Sequence, residues 1–235
     1  QITPVILAAG QGTRMKSKLP KVLHPVLGQP LVWHAVHTLK QVSDTKPVIV
    51  VGYGADAVKD IFGDSVLFVH QNQRLGTGHA VMQTSDLLKG RTDYILVSYA
   101  DMPLLSVDTF KRIVETQLKN DGPMTILTNI ADDPRGFGRI VRDTDGNLEA
   151  IVEEVDCSPA QLQINELNTS LYCIEADWLW DALDRITLSP KGEYYLTDLV
   201  GIAVGEGLSV QSVAIADPIE VIGINSRVHL AEATT

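Results

Sequence analysis

Arg14 and Lys21 flank the end of a glycine-rich stretch near the start of the chain, and two cations in that setting suit the binding of a polyanion. The stretch Leu7-Ala-Ala-Gly-Gln-Gly-Thr-Arg-Met15 follows a short apolar run that reads as a strand. Gly10 and Gly12 free the backbone to turn sharply there and to bring its N–H groups close to a ligand. Arginine can grip phosphate oxygens bidentately, whereas lysine acts as a point charge. Two phosphate-binding patterns nearly fit, and both fail at one residue. The dinucleotide fingerprint G-x-G-x-x-G needs glycine where Met15 stands, and the P-loop pattern matches Gly10, Lys16 and Ser17 but meets Met15 again. Both also require a helix to begin at once, and Pro20 and Pro25 favour extended chain instead. The pattern predicts a glycine loop followed by an extended basic arm. A tight βα turn with surface lysines is the competing reading. Lys16 and Lys18 hold no motif position and read as solvated.

Asp101 lies just beyond another apolar run, where a loop leaves the carboxyl end of a strand, the edge at which open parallel sheets bind ligands. A lone Asp-x-Pro is also an ordinary turn. No Ser/His/Asp or Cys/His arrangement for nucleophilic catalysis stands out. His79 opens an apolar helical stretch and reads as packing or capping. Trp33, Trp178 and Trp180 read as packing too. The two cysteines, Cys157 and Cys173, form neither a disulfide framework nor a zinc pattern, which suits a reduced, cytoplasmic protein.

The elements that must position these residues alternate. Segments 4–9, 47–52, 66–70 and 94–99 read as buried strands rich in Val, Ile and Leu. Between and after them, 31–40, 55–62, 78–88 and 107–118 repeat apolar residues at three and four. Ser106 supplies an N-cap for the last, and Asp108 an acidic first turn. Such alternation predicts an α/β fold, a Rossmann-like and mostly parallel sheet with helices on both faces. The second half is an elaboration. A turn at 143–147 joins hairpin strands 138–141 and 148–153, 167–174 reads as another strand, and 178–186 and 195–205 read as helices.

Composition narrows the partners. The chain has 235 residues, 45% apolar and 20% charged, which is a globular composition. A net charge of −10 argues against a general nucleic-acid binder. The first of the 29 acidic residues is Asp44, so Arg14, Lys16, Lys18, Lys21 and Lys40 form a basic, acid-free opening in an acidic protein. That asymmetry suits a local anion site as well as a solvated patch. No apolar run approaches the roughly 20 residues of a membrane span, so neither nucleic acid nor membrane is an expected partner.

The opening stretch, continued by Leu19-Pro-Lys21, resembles the signature of the sugar-nucleotidyltransferases. Four later stretches narrow the likeness: Gln71-Asn-Gln-Arg-Leu-Gly-Thr-Gly-His-Ala80, Tyr99-Ala-Asp-Met-Pro-Leu104, Gly192-Glu-Tyr-Tyr-Leu-Thr-Asp198 and Gly223-Ile-Asn-Ser-Arg227. In order, and over essentially the whole chain, they resemble the uridylyltransferase domain of the bacterial bifunctional N-acetylglucosamine-1-phosphate uridylyltransferase/glucosamine-1-phosphate acetyltransferases.

That resemblance implies the nucleotide-diphospho-sugar transferase fold and a UMP transfer from UTP to N-acetylglucosamine-1-phosphate, for cell-envelope precursor synthesis. A uridylyl- or thymidylyltransferase for another sugar-1-phosphate, or a non-catalytic nucleotide-sugar sensor, are the alternatives. It implies Arg14 and Lys21 as phosphate clamps, and Asp101 with Asn225 as ligands of Mg2+. Leu7, Ala8, Ala9, Gly10, Gln71, Gly76 and Thr77 are expected around the uridine, with Tyr99 and Ala100 near the ribose. Gly138, Glu153 and Asn168 are expected at the sugar, and Thr197 beside them. The family usually has glycine at Ala100 and Ser170 and a basic residue at Val155. Residues 1–225 are expected to form the transferase domain and 226–235 the start of a helix toward a β-helix domain outside this sequence. Such a fragment is expected to be a monomer, and the longer protein a homotrimer.

Overall fold

The sequence Ile-Thr-Pro-Val-Ile-Leu-Ala builds the central strand β1 (Ile2–Ala8), in which Val5 and Ile6 are fully buried on opposite faces. The computed structural model describes residues 1–134 and 136–233. Parallel neighbours flank β1 on both sides, β4 (Val48–Val51) and β6 (Tyr94–Tyr99), and β5 (Leu67–His70) extends the sheet beyond β4. Beyond β6 stand β10 (Glu166–Glu175), β7 (Met124–Ile130) and β11 (Val210–Ala214), giving the order β11-β7-β10-β6-β1-β4-β5. Four of the six pairings on this path are parallel, and both antiparallel ones involve β10. The expected mostly parallel sheet is present, with one reversed strand inside it. The hairpin β8 (Arg139–Arg142) and β9 (Leu148–Val152) leans on β10, and β2 (Pro25–Val26) with β3 (Gln29–Pro30) forms a separate ribbon.

Helices cover both faces, as β-strands buried on both sides require. On one face α1 (Leu31–Leu39), α2 (Ala55–Phe62) and α5 (Val107–Gln117) pack on Ile6, Ala8, Ile49 and Leu96. On the other, α3 (Gly76–Met82), α6 (Ala176–Leu183) and α7 (Asp198–Gly205) pack on Val5, Leu7, Val50 and Val97. The Ser106 side chain accepts from the Thr109 amide, the N-cap its position predicts. The predicted helix over 78–88 is broken in two, with α4 (Ser85–Leu88) following α3. Thr84 causes the break: its amide and its hydroxyl both donate to the Val81 carbonyl, taking an acceptor that a continuous helix would use one turn later. The chain ends its described part in α8 (Arg227–Glu232), capped by the Ser226 hydroxyl; Thr234 and Thr235, within the expected 226–235 helix, lie outside the described residues.

Candidate active site

The loop after β1 does not run straight into a helix. Residues Thr13–Met15 and Lys21–Leu23 make single 3-10 turns, where the proline content suggests an extended arm. Pro20 at φ −52° leads into the second turn, so the proline orients the arm and Lys21 then turns inward. Gly12 takes φ +65°, and a Cβ there would collide with Cβ of Lys21. The glycine is what lets Lys21 cross directly beneath the loop.

Lys21 Nζ forms an ion pair with Asp101 Oδ2, and it also donates to Asn225 Oδ1 at 3.1 Å. Arg14 donates to the same Asn225 oxygen at 3.0 Å. The carbonyl of Asp101 accepts from the Ile224 amide at 2.8 Å, which ties the loop after β6 to the segment before α8. Three distant stretches thus meet at two oxygen donors and two cations. Lys16 and Lys18 are exposed on the surface, as expected of solvated residues.

Beside this cluster opens a cavity of about 340 Å³. Ten of the expected residues line it: Leu7, Ala8, Ala9, Gly10, Lys21, Gln71, Gly76, Thr77, Tyr99 and Asp101. The size suits a nucleotide-sized ligand. A larger groove of about 520 Å³ between α5 and β11 has a mixed-charge lining of Arg112, Glu115, Lys119 and Asp121 and contains none of the expected residues. Ala100 departs from expectation. Its methyl is fully buried in the core under α1, α2 and α5, and its amide donates to the Leu7 carbonyl at 3.1 Å. The extra carbon relative to glycine therefore packs into the interior.

The floor of the cavity is built by two motifs interlocking. Gly76 has φ +96°, and a Cβ on it would stand 2.5 Å from the Tyr194 carbonyl. The Tyr194 amide donates to the Leu75 carbonyl at 2.7 Å, and the Gly78 amide donates back to the Tyr194 carbonyl at 2.8 Å. The Thr77 hydroxyl accepts from the Leu196 amide at 3.0 Å and is hydrogen-bonded to the Tyr99 side chain. Burial is the main cause that pushes the Tyr99 phenol well above its ordinary range, with Tyr172, Glu153 and Asp101 adding to it. Tyr99 is therefore a neutral hydroxyl between the Asp101 cluster and the second half of the chain.

The three expected sugar residues lie in that second half, outside the cavity lining. Glu153 accepts from Thr197 Oγ1 at 3.0 Å, and burial raises its carboxyl above the ordinary glutamate range, the Thr197 bond partly offsetting it. A Cβ on Gly138 would stand 3.2 Å from the Ile151 side chain and the Val152 carbonyl, and the Gly138 carbonyl accepts from the Asn168 amide at 2.9 Å. Asn168 is buried, donating to the Tyr172 hydroxyl at 2.7 Å and accepting from the Ser170 amide at 3.1 Å. Ser170 sits at the bulge of β10 with φ +62°, which accounts for a glycine preference on backbone grounds alone.

Several residues outside the expected set also stand at the cavity. Arg74 and Glu193 line the cavity, and Arg74 donates to Gln11 at 2.6 Å. Both stand inside motif stretches, so the signal was present. His79, read as packing, lies 3.1 Å from the Gln71 amide. The tryptophans pack as expected: Trp180 is buried in the core, Trp178 packs against it and donates to Glu206 at 2.8 Å, and Trp33 stacks on His37. Cys157 and Cys173 are both free thiols.

Residues 4–144 match the family model described as the MobA-like NTP transferase domain. The chain belongs to this nucleotidyltransferase family. Relatives named "Bifunctional protein GlmU" match almost all of this transferase. The one from Limosilactobacillus fermentum is 48% identical over 231 residues, 98% of this chain and 51% of the relative. That from Exiguobacterium sp. is 45% identical over 232 residues, 97% of this chain and 51% of the relative. The chain thus spans about half the length of the curated relatives it matches. A Bacillus anthracis structure assigned as a glucose-1-phosphate thymidylyltransferase superposes with a TM-score of 0.81 at 22% identity, covering 100% of this chain and 94% of that one, so the fold is shared. Among the described residues no helix is long and apolar enough to cross a membrane.

Proposed function

We propose that this nucleotidyltransferase transfers UMP from UTP to N-acetylglucosamine-1-phosphate and releases pyrophosphate. The observation that carries the reading is the meeting of Arg14, Lys21, Asp101 and Asn225 at the mouth of the cavity that Gln71 lines. The relatives' names favour this sugar nucleotide over the alternatives.

The sugar phosphate is the nucleophile, and its second pKa of about 6 leaves it anionic at neutral pH. No general base is needed. The reaction needs alignment of two polyanions and neutralisation of the charge on the leaving pyrophosphate. Arg14 and Lys21 supply that charge from the loop after β1. Asp101 and Asn225 offer two hard oxygen donors that already share one cation, the Lys21 ammonium. Two protein oxygens are the usual complement for Mg2+ held jointly with phosphates and water. When bound there, Mg2+ would neutralise phosphate charge as a Lewis acid. Lys21 would then exchange Asp101 for phosphate oxygens. Gln71, with Gly76 and Thr77, would bind the base, and Glu153, Asn168 and Gly138 the N-acetylglucosamine, with Thr197 setting the Glu153 carboxyl.

The same reading places the enzyme in the cytoplasm, as a monomer at this length and as a trimer in a protein of the relatives' length. Pyrophosphate release from UTP and from dTTP, across a panel of sugar-1-phosphates, tests it. Preference for N-acetylglucosamine-1-phosphate with UTP is the expected result. A clear preference for another sugar phosphate would move the enzyme to a neighbouring specificity, and no release with any acceptor would favour a sensor.

A further inference from the structure

His79 stands on α3 with both ring nitrogens beside glutamine amides. Its Nδ1 lies 3.1 Å from Gln71 Nε2, and its Nε2 lies 3.3 Å from Gln83 Nε2. The ring also stacks on Tyr194, with centroids 6.4 Å apart and planes at 24°. A neutral imidazole has one donor and one acceptor nitrogen, so the ring can accept from only one of the two amides.

The surroundings decide which. The Gly76 carbonyl can only accept, so the Gln71 atom 2.9 Å from it must be the amide nitrogen. Gln71 is only 6% exposed, and its amide nitrogen is held between the Gly76 carbonyl and the ring. Gln83 is half-buried, and its amide has the His79 carbonyl as a second partner at 3.1 Å. The imidazole therefore accepts at Nδ1 from Gln71 and carries its proton on Nε2, and Gln83 is the amide that adjusts. Both amide hydrogens of Gln71 are then used, one on Gly76 and one on His79. Its Oε1 is left as the free atom of a side chain that lines the cavity.

We propose that His79 is a specificity-determining positioning residue: by holding Gln71 with Oε1 as its free atom, it selects a base with N–H at ring position 3 over one with a bare nitrogen there. Uracil and thymine carry that hydrogen, and cytosine presents an acceptor that an amide oxygen repels. Sites built around a specific hydrogen bond discriminate strongly because the wrong partner leaves buried groups unpaired. The proposal rests on the reading of Gln71 as the nucleobase contact.

The test compares kcat/KM for UTP and CTP, with N-acetylglucosamine-1-phosphate as acceptor, in the parent and four variants whose folding is checked by circular dichroism. His79→Phe keeps a ring against Tyr194 without an acceptor. His79→Gln offers its acceptor near the Nε2 position, and His79→Asn returns one near Nδ1. The UTP/CTP ratio should fall about fivefold to tenfold in the Phe and Gln variants, the scale of one hydrogen bond, through KM for UTP more than through kcat. His79→Asn should restore most of it. An unchanged ratio in a folded Phe or Gln variant overturns the proposal, and so does an Asn variant as relaxed as Phe, which would reduce His79 to packing. Gln71→Ala separates the two readings. If it leaves the ratio unchanged, the nucleobase assignment of Gln71 falls. If it relaxes the ratio while both His79 losses do not, only the role of His79 falls.

Discussion

Arg227 holds Met15 from the far end of the chain, its Nε donating to the Met15 carbonyl at 3.1 Å. A terminal nitrogen of the same guanidinium donates to the Lys16 carbonyl at 3.0 Å, just after the turn that carries Arg14. Asn225, two positions earlier, meets Arg14 and Lys21. The segment before α8 is thereby stapled to the loop after β1 at the point where the cations converge.

Arg227→Ala should lower turnover about tenfold by loosening that staple, the scale of the charge-assisted bonds removed. The melting temperature should barely move, because Arg227 is exposed. Arg227→Lys, which can reach only one carbonyl, should recover part of the loss. Pyrophosphate release and a thermal melt on the same preparations check both halves.

Asp101→Asn should cost at least tenfold in turnover, and the loss should deepen at limiting magnesium, since a neutral amide holds a hard cation weakly. Lys21→Ala should impair turnover more than Lys18→Ala, because Lys21 sits at the Asp101 cluster and Lys18 is exposed. A magnesium titration of each variant reads these out. Equal losses for the two lysines would point to a diffuse basic patch.

Glu153 supplies a pH-dependent expectation. Its folded-state pKa is raised by burial, so between the ordinary glutamate value of about 4.3 and the raised value the folded protein holds a proton that the unfolded chain has released. Its contribution to stability is therefore greatest below that window and declines as pH rises through it. Glu153→Gln removes the buried charge while keeping an acceptor for Thr197. The variant should melt higher than the parent at pH 7 and no higher at pH 4, and it should turn over the sugar phosphate about tenfold more slowly. Melting curves across pH 4–8 and initial rates test the pair of claims.

Ser170→Gly should stabilise the fold by about 0.5–1 kcal/mol, because a left-handed backbone penalises a side chain. The gain is trimmed by the loss of a hydrogen bond between Ser170 and Tyr172. A shift of the urea midpoint to higher concentration, with an unchanged slope, is the expected signature.

Local chemistry made much of this protein legible in its sequence. The buried runs of β1, β4 and β6 are built mostly from Val, Ile and Leu, and the Ser106 cap and the turn at Asp143 declare themselves through their residue types. By contrast β5, expected as a buried strand, lies at the edge of the sheet with Leu67 and His70 exposed. Gly10 and Gly12 mark a glycine loop in the sequence, and Gly12 does take the left-handed backbone that favours glycine. The edge side was less legible. Thr125, Thr128 and Asn129 interrupt the apolar run of β7, and Gln211 and Ser212 that of β11, so neither segment carries a clean strand period, and only pairing in the sheet makes them strands. Nothing local says that β10 runs backwards or that Thr84 ends a helix early. Function divided the same way. The resemblance of the motifs pointed to Arg14, Lys21, Asp101 and Asn225, but that Asn225 and Asp101 share one cation, that Ala100 faces the core, and that His79 touches Gln71 depend on contacts between segments far apart in the chain. Backbone preference and side-chain chemistry are properties of a short window of residues. Shared partners and the facing of a side chain exist only once the sheet has brought those windows together.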